Sequence, residues 1–201
     1  MERALEELSD ADCEAFLGFA RESGIKLYHF KRSDRTLPRV NKTLGFLRGI
    51  SFDSLLDVGS GRGVFLLPFL EEFPYVEVTS VDILERRIEL LSDISSGGVG
   101  RLRVLGADIC DQPLPERSVD VVTMLEVLEH IPDVSRAIGA AVRIARKYVV
   151  VTVPSKEDDN PEHIHLLTKA RLIGLFADHG VSRLSFDGVP GHLFMIARIG
   201  D

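Results

Sequence analysis

Leu55-Leu56-Asp57-Val58-Gly59-Ser60-Gly61-Arg62-Gly63 is the stretch on which the reading of this chain turns. Two leucines lead into an acid, and three glycines then alternate with other residues. An apolar run that stops in this way is how a buried parallel strand ends in a turn that receives a ligand. Gly59, Gly61 and Gly63 let the backbone bend sharply and approach a ligand where a Cβ would clash, and Val64 to Glu72 is suited to a following helix. Asp57 sets an acceptor beside the electropositive start of that helix, a pairing that suits a zwitterion.

Spacing narrows the ligand. A dinucleotide fingerprint needs Gly-x-Gly-x-x-Gly, but the position after Gly63 is Val64, which weakens a nicotinamide reading. Working outward, Tyr75 to Val81 reads as a second strand ending at Asp82, and Arg101 to Leu105 as a third, followed by Gly106-Ala107-Asp108. These three strand ends, taken in order, resemble the class I S-adenosylmethionine-dependent methyltransferases. The resemblance implies a Rossmann-like α/β fold: seven strands, mostly parallel, with an antiparallel C-terminal strand and helices on both faces. It also implies cofactor contacts. Asp57, Gly59, Gly61 and Gly63 would hold the methionine part, Asp82 the ribose, and Asp108 with Ile109 the adenine, with Ile83 a further cofactor contact. Val119 to Leu125 is a β-branched run fit for a strand buried on both faces, and it delivers Leu125 and Glu126 to the carboxyl edge, beside the transferred methyl group.

Composition sets the bounds. At 201 residues the chain suits one core, so residues 1–50 read as an N-terminal helical segment, lid or cap, of the domain formed by residues 51–201. A net charge of −7 argues against a broad electrostatic grip on nucleic acid. Cys13 and Cys110 are far apart and form no metal or redox pair, which suits a reducing compartment. The N-terminus is acidic and amphipathic, and no apolar run is long enough to span a membrane; the expectation is a cytoplasmic protein.

Ahead of the glycine turn, Ser9 and Asp12 can cap a helix through Cys13, Phe16, Leu17 and Ala20 that closes at Gly24. Tyr28 to Arg35 alternates aromatic and cationic residues, which suits either a solvated loop or contacts to substrate or cofactor. Arg39-Val40-Asn41 resembles the Arg-Ile-Asn segment of the ubiquinone-pathway O-methyltransferases, whose arginine reaches the cofactor carboxylate. By that match Arg39 takes the same role, one for which a planar guanidinium fork is suited.

A second constellation follows the fourth strand. Glu126, Glu129 and His130 stand at i, i+3 and i+4, a spacing that shares one face of a helical turn. Two carboxylates and an imidazole so placed can hold a divalent cation, with His163 completing the set. Glu126-x-x-Glu129-His130-Ile131-Pro132-Asp133 also resembles the ubiquinone-pathway enzymes. More distantly it resembles the small-RNA 2′-O-methyltransferases, which bind a metal through two Glu and two His. His163 stands five residues before Thr168 as in that RNA group, but Ile131 replaces the second His of its pair. Without a metal, His130 or His163 can act as a general base, with Glu129 beside it.

The rest of the chain fits the same plan. Val134 to Ala145 carries an apolar helical stripe and Tyr148 to Val153 a fifth strand, with Ala145-Arg146-Lys147 making a tight junction. Thr168 caps a helix ending at Gly180, and a hairpin across Gly188 to Gly191 closes the sheet. No separate substrate domain is expected, so selection falls to the N-terminal segment and the loops at 28–38 and 154–167. The expected activity is O-methylation of a small-molecule acceptor. The alternatives are a metal-dependent RNA 2′-O-methyltransferase, which the acidic charge disfavours, and a cofactor-binding module without turnover.

Overall fold

The structure, a computed structural model, describes residues 22, 37–157 and 159–200. By its contacts the chain divides into Met1–Thr36 and Leu37–Asp201, and the elements below all belong to the second unit. The expected helix across residues 9–24, apart from Glu22, and the aromatic and cationic stretch at 28–35 lie outside the described residues.

Seven strands form one sheet in the order β3-β2-β1-β4-β5-β7-β6. They are β1 (Ser54–Val58), β2 (Glu77–Asp82), β3 (Leu102–Gly106), β4 (Val119–Leu125), β5 (Ala145–Pro154), β6 (Leu184–Val189) and β7 (His192–Arg198). The first five pair in parallel, and β7 inserts antiparallel between β5 and β6. Because the order reverses at β1 and β4, the carboxyl ends of these strands open a crevice where a ligand is received.

Both sheet faces are covered, which explains the near-continuous apolar strands. Leu55, Val121 and Val150 face one core layer while their neighbours Leu56, Val122, Val149 and Val151 face the other. The first layer takes the apolar sides of α1 (Pro38–Arg48), α2 (Leu66–Glu72) and α3 (Glu85–Ser96), through Leu44, Phe69 and Leu91. The second takes those of α4 (Val134–Ile144) and α5 (Lys169–Asp178), through Ile138 and Phe176. Fully burying a side chain of this size stabilises by roughly 1.5–3 kcal/mol. Asp133 and Thr168 cap α4 and α5 by accepting from the Arg136 and Arg171 amides.

Element ends shift from the sequence expectation in three instructive places. Regular helix begins at Leu66 rather than Val64, so the glycine turn is a loop of its own and the helix end stands three residues beyond Gly63. Helix α4 ends at Ile144 and β5 starts at Ala145 with no loop between them. Strand β6 continues through Gly188 and Val189, leaving Pro190-Gly191 as a two-residue hairpin turn with Gly191 at φ 80°.

Candidate active site

The glycine turn is built by backbone pairing. The Gly59 amide donates to the Val81 carbonyl at 2.7 Å, and the Gly63 amide to that of Ser60 at 2.9 Å. Gly59, Gly61 and Gly63 have φ of 65°, 60° and 78°, the left-handed region that side chains resist. Their surroundings differ. A Cβ on Gly59 would stand 2.7 Å from a methyl of Val127, and one on Gly63 2.8 Å from Leu67, whereas Gly61 has nothing nearer than 3.8 Å. Gly59 and Gly63 are therefore needed for packing. Gly61 leaves the room that a ligand needs.

Two buried acids brace the turn. Asp82 accepts from the Gly61 amide at 3.2 Å and the Leu84 amide at 3.0 Å, with Arg87 at 3.5 Å. A carboxylate offers about four acceptor sites, so hydroxyls can still be received there. Asp57 accepts from the Thr123 hydroxyl at 2.7 Å, and burial pushes its carboxyl from an ordinary 3.8 up to about 6. Asp108 accepts from the Cys110 amide at 2.8 Å, which turns the backbone after β3. Beside it the thiol of Cys110 is pushed up to about 11 by burial and by the Asp108 carboxylate.

These residues line one cavity of about 520 Å³, within the range of cofactor sites. Arg39, Asp57, Gly59, Gly61, Asp82, Ile83, Asp108, Ile109 and Leu125 are all on its wall. Gly63 is not; it serves by shaping the turn. The cradle at Gly61, the acid beneath it and the apolar wall formed by Ile83 and Ile109 fit an amino acid joined to a nucleoside. Arg39 reaches the cavity from the first turn of α1.

The second constellation is arranged differently from its helical expectation. Glu126 has φ 61°, which breaks the chain direction after β4, and only Leu128–His130 forms a short 3-10 turn. Glu126 consequently is not grouped with the other two; its carboxylate accepts from Thr152 Oγ1 at 2.8 Å and stands 2.9 Å from His192 Nε2. The ligand atoms that do come together, within 4.8 Å of one another, belong to Glu129, His130 and His163. One carboxylate and two imidazoles suit a divalent transition ion, but as three groups instead of the expected four. Glu129 is fully buried and does not line the cavity, whereas His130 does. The loop after β5 clasps this turn: the Ile164 amide donates to the Glu129 carbonyl, and His130 Nδ1 lies 2.9 Å from the Glu162 carbonyl. A carbonyl only accepts, so Nδ1 carries the proton and Nε2 is the basic nitrogen of the neutral ring.

Sequence reasoning missed several wall and support residues. Glu162 and Val127 lie inside segments already singled out, yet nothing in their spacing marks them. Thr123, Ser60 and Ser80 support the turn as buried hydroxyls, Ser60 and Ser80 lying 2.7 Å apart. His192 comes from the closing hairpin, far in sequence from the site, and only the pairing of β5 with β7 brings it near.

Strand order, glycine turn and acid-tipped strands together are those of the class I S-adenosylmethionine-dependent methyltransferase fold. Residues 56–151 match the methyltransferase domain family. Over 100 residues the chain is 33% identical to the ubiquinone biosynthesis O-methyltransferase of Pseudomonas fluorescens; the match spans 49% of this chain and 42% of that protein. The chain thus spans less than half the length of this relative. The fold is shared with a methyltransferase from Aquifex aeolicus, at TM-score 0.68 and 21% identity, covering 84% of this chain and 93% of that one. It is shared also with the 1,6-didemethyltoxoflavin-N1-methyltransferase of Burkholderia thailandensis, solved with S-adenosylhomocysteine bound. That similarity has TM-score 0.68 and 20% identity, covering all of this chain and 94% of the other. Among the described residues, no helix is long and apolar enough to cross a membrane.

Proposed function

We propose that the protein methylates a hydroxyl group of a small molecule, with S-adenosylmethionine as methyl donor. The observation that carries the reading is the cavity in which Gly61, Asp82 and Asp108 share one wall with His130. When bound, S-adenosylmethionine supplies a methyl group activated by its sulfonium. Asp57 and Arg39 hold the amino acid end, Asp82 accepts from the ribose hydroxyls, and Ile83 and Ile109 flank the adenine with Asp108 at its edge. Leu125 borders the reacting region and keeps water from it. The chain's main contribution is to bring acceptor and donor into line, a service of several orders of magnitude in effective concentration. His130 Nε2 takes the hydroxyl proton, and Glu129 behind it favours the imidazolium that results.

Turnover of labelled S-adenosylmethionine with a panel of hydroxylated small molecules tests this. Wild type is expected to transfer label, and His130→Ala to lose about 100-fold or more in kcat with its affinity for S-adenosylhomocysteine unchanged. Equal loss of both would make the segment structural. A second reading puts a divalent ion at Glu129, His130 and His163, favoured by their 4.8 Å grouping. It predicts that a chelator abolishes turnover and one divalent ion restores it, while general-base chemistry at His130 survives chelation. Methylation of RNA is disfavoured by the net charge of −7.

A further inference from the structure

Glu126 stands on the cavity wall in a backbone conformation that costs on the order of 1 kcal/mol or more, so its neighbours must hold it there. Its amide donates to the Thr152 carbonyl at 2.9 Å, Thr152 Oγ1 donates to one carboxylate oxygen, and His192 Nε2 faces the other. His192 Nδ1 in turn lies 3.0 Å from the Pro190 carbonyl, so the ring sits between two acceptors, and in its neutral form it donates to one of them at a time. The carboxylate has lone pairs to spare and its side chain keeps 19% of its surface accessible. These supports come from β5 and the start of β7, the half of the sheet that the donor does not use.

We propose that Glu126 is the seat for a hydrogen-bond-donating group of the methyl acceptor, with His192 and Thr152 as its positioning residues. This rests on the proposed methyl transfer and names its acceptor class: a neutral or cationic hydroxylated molecule. The neighbouring wall supplies the rest of the argument. Val127, Ile131 and Pro132 are apolar and suit a ring or chain, and Glu162 also lines the cavity. The cavity's arginines, Arg39, Arg62 and Arg87, stand on α1, in the glycine turn and beside Asp82, so an anionic acceptor at Glu126 meets a like charge. A carboxylate aligned by an imidazole and a hydroxyl presents a fixed acceptor, and a hydrogen bond to such a charged group is worth about tenfold or more in affinity.

The test uses the full chain saturated with S-adenosylhomocysteine. Three probes carry the same pair of hydroxyls with different charge: catechol, 3,4-dihydroxybenzylamine and 3,4-dihydroxybenzoate. Binding is read by saturation-transfer NMR and calorimetry. Catechol and the amine are expected to bind, and the benzoate about tenfold more weakly or not at all. Glu126→Gln should weaken catechol and the amine about tenfold, with affinity for S-adenosylhomocysteine unchanged. His192→Ala should act in the same direction, and His192→Gln, which keeps a donor toward Glu126, should recover most of the loss. Three results would overturn the inference alone: wild type that holds S-adenosylhomocysteine but none of the probes, benzoate binding as tight as catechol, or variants that lose both affinities equally. Wild type that fails to bind S-adenosylhomocysteine would overturn the proposed methyl transfer, and this inference with it.

Discussion

Asp57 shows what a single buried group does to stability and binding. Its folded carboxyl titrates near 6, against 3.8 for the ordinary group, because burial penalises the charge. A raised carboxyl pKa means the folded chain holds the proton more tightly than the unfolded chain. Stability is therefore highest below about pH 4 on this group's account, and falls by about 3 kcal/mol as the pH rises through 6. Asp57→Asn should remove that slope in pH-dependent denaturation, while acid unfolding driven by other groups persists. If Asp57 faces the ligand's ammonium, binding at pH 5.5 should release a proton that is not released at pH 8. Calorimetry in buffers of different ionisation enthalpy reads the difference. The glycines separate shape from access in the same way. Gly61→Ala should cost only about 1 kcal/mol of stability but sharply weaken ligand binding. Gly59→Ala should cost more and lose both, since its Cβ would press on Val127. The glycine spacing and the acid after each strand were legible because only backbone geometry decides them. The left-handed Glu126 was not, because its conformation is imposed by Thr152 and His192, which are distant in sequence.

At the scale of elements, the contact between α4 and α5 admits a clean test. Gly139 faces His179 so closely that a Cβ would lie 2.6 Å from the ring, and His179 is fixed by the Ser135 carbonyl at 2.8 Å. Gly139→Ala should destabilise by about 1–3 kcal/mol despite the helix preference for alanine, with ligand affinity unchanged. Adding His179→Ala should recover part of the loss. The junction between α4 and β5 is held from below by Asp120. Burial alone would raise its carboxyl, but the Asp53 amide and the Arg146 and Lys147 side chains hold it below the usual carboxylate range. Its contribution is then present above about pH 4 and lost as the pH falls through the folded value. Asp120→Asn should lower the melting temperature at pH 7, and the difference from wild type should shrink as the pH falls below the usual carboxylate range. Strands buried on both faces were readable as unbroken apolar runs. Exact ends were not. The tight Ala145-Arg146-Lys147 junction pointed to a short connection, but its reduction to none depends on Arg146 and Lys147 reaching Asp120 across β4.

For the whole molecule, the sheet order explains why distant segments meet. Parallel strands bring the ends of β1, β2, β3 and β4 to one edge, and the antiparallel β7 brings His192 to the same region from the other side. Fold alone does not determine chemistry, since a shared architecture serves many reactions. The division of labour between donor and acceptor halves is therefore a claim about particular side chains, and all of it depends on the donor being held at the glycine turn. Isothermal titration of the wild-type chain and Asp82→Ala with S-adenosylhomocysteine tests that dependence most directly. The account predicts saturable one-to-one binding by wild type and a loss of about tenfold or more in the variant. No heat from folded wild-type protein, or equal affinity in the two, would contradict it.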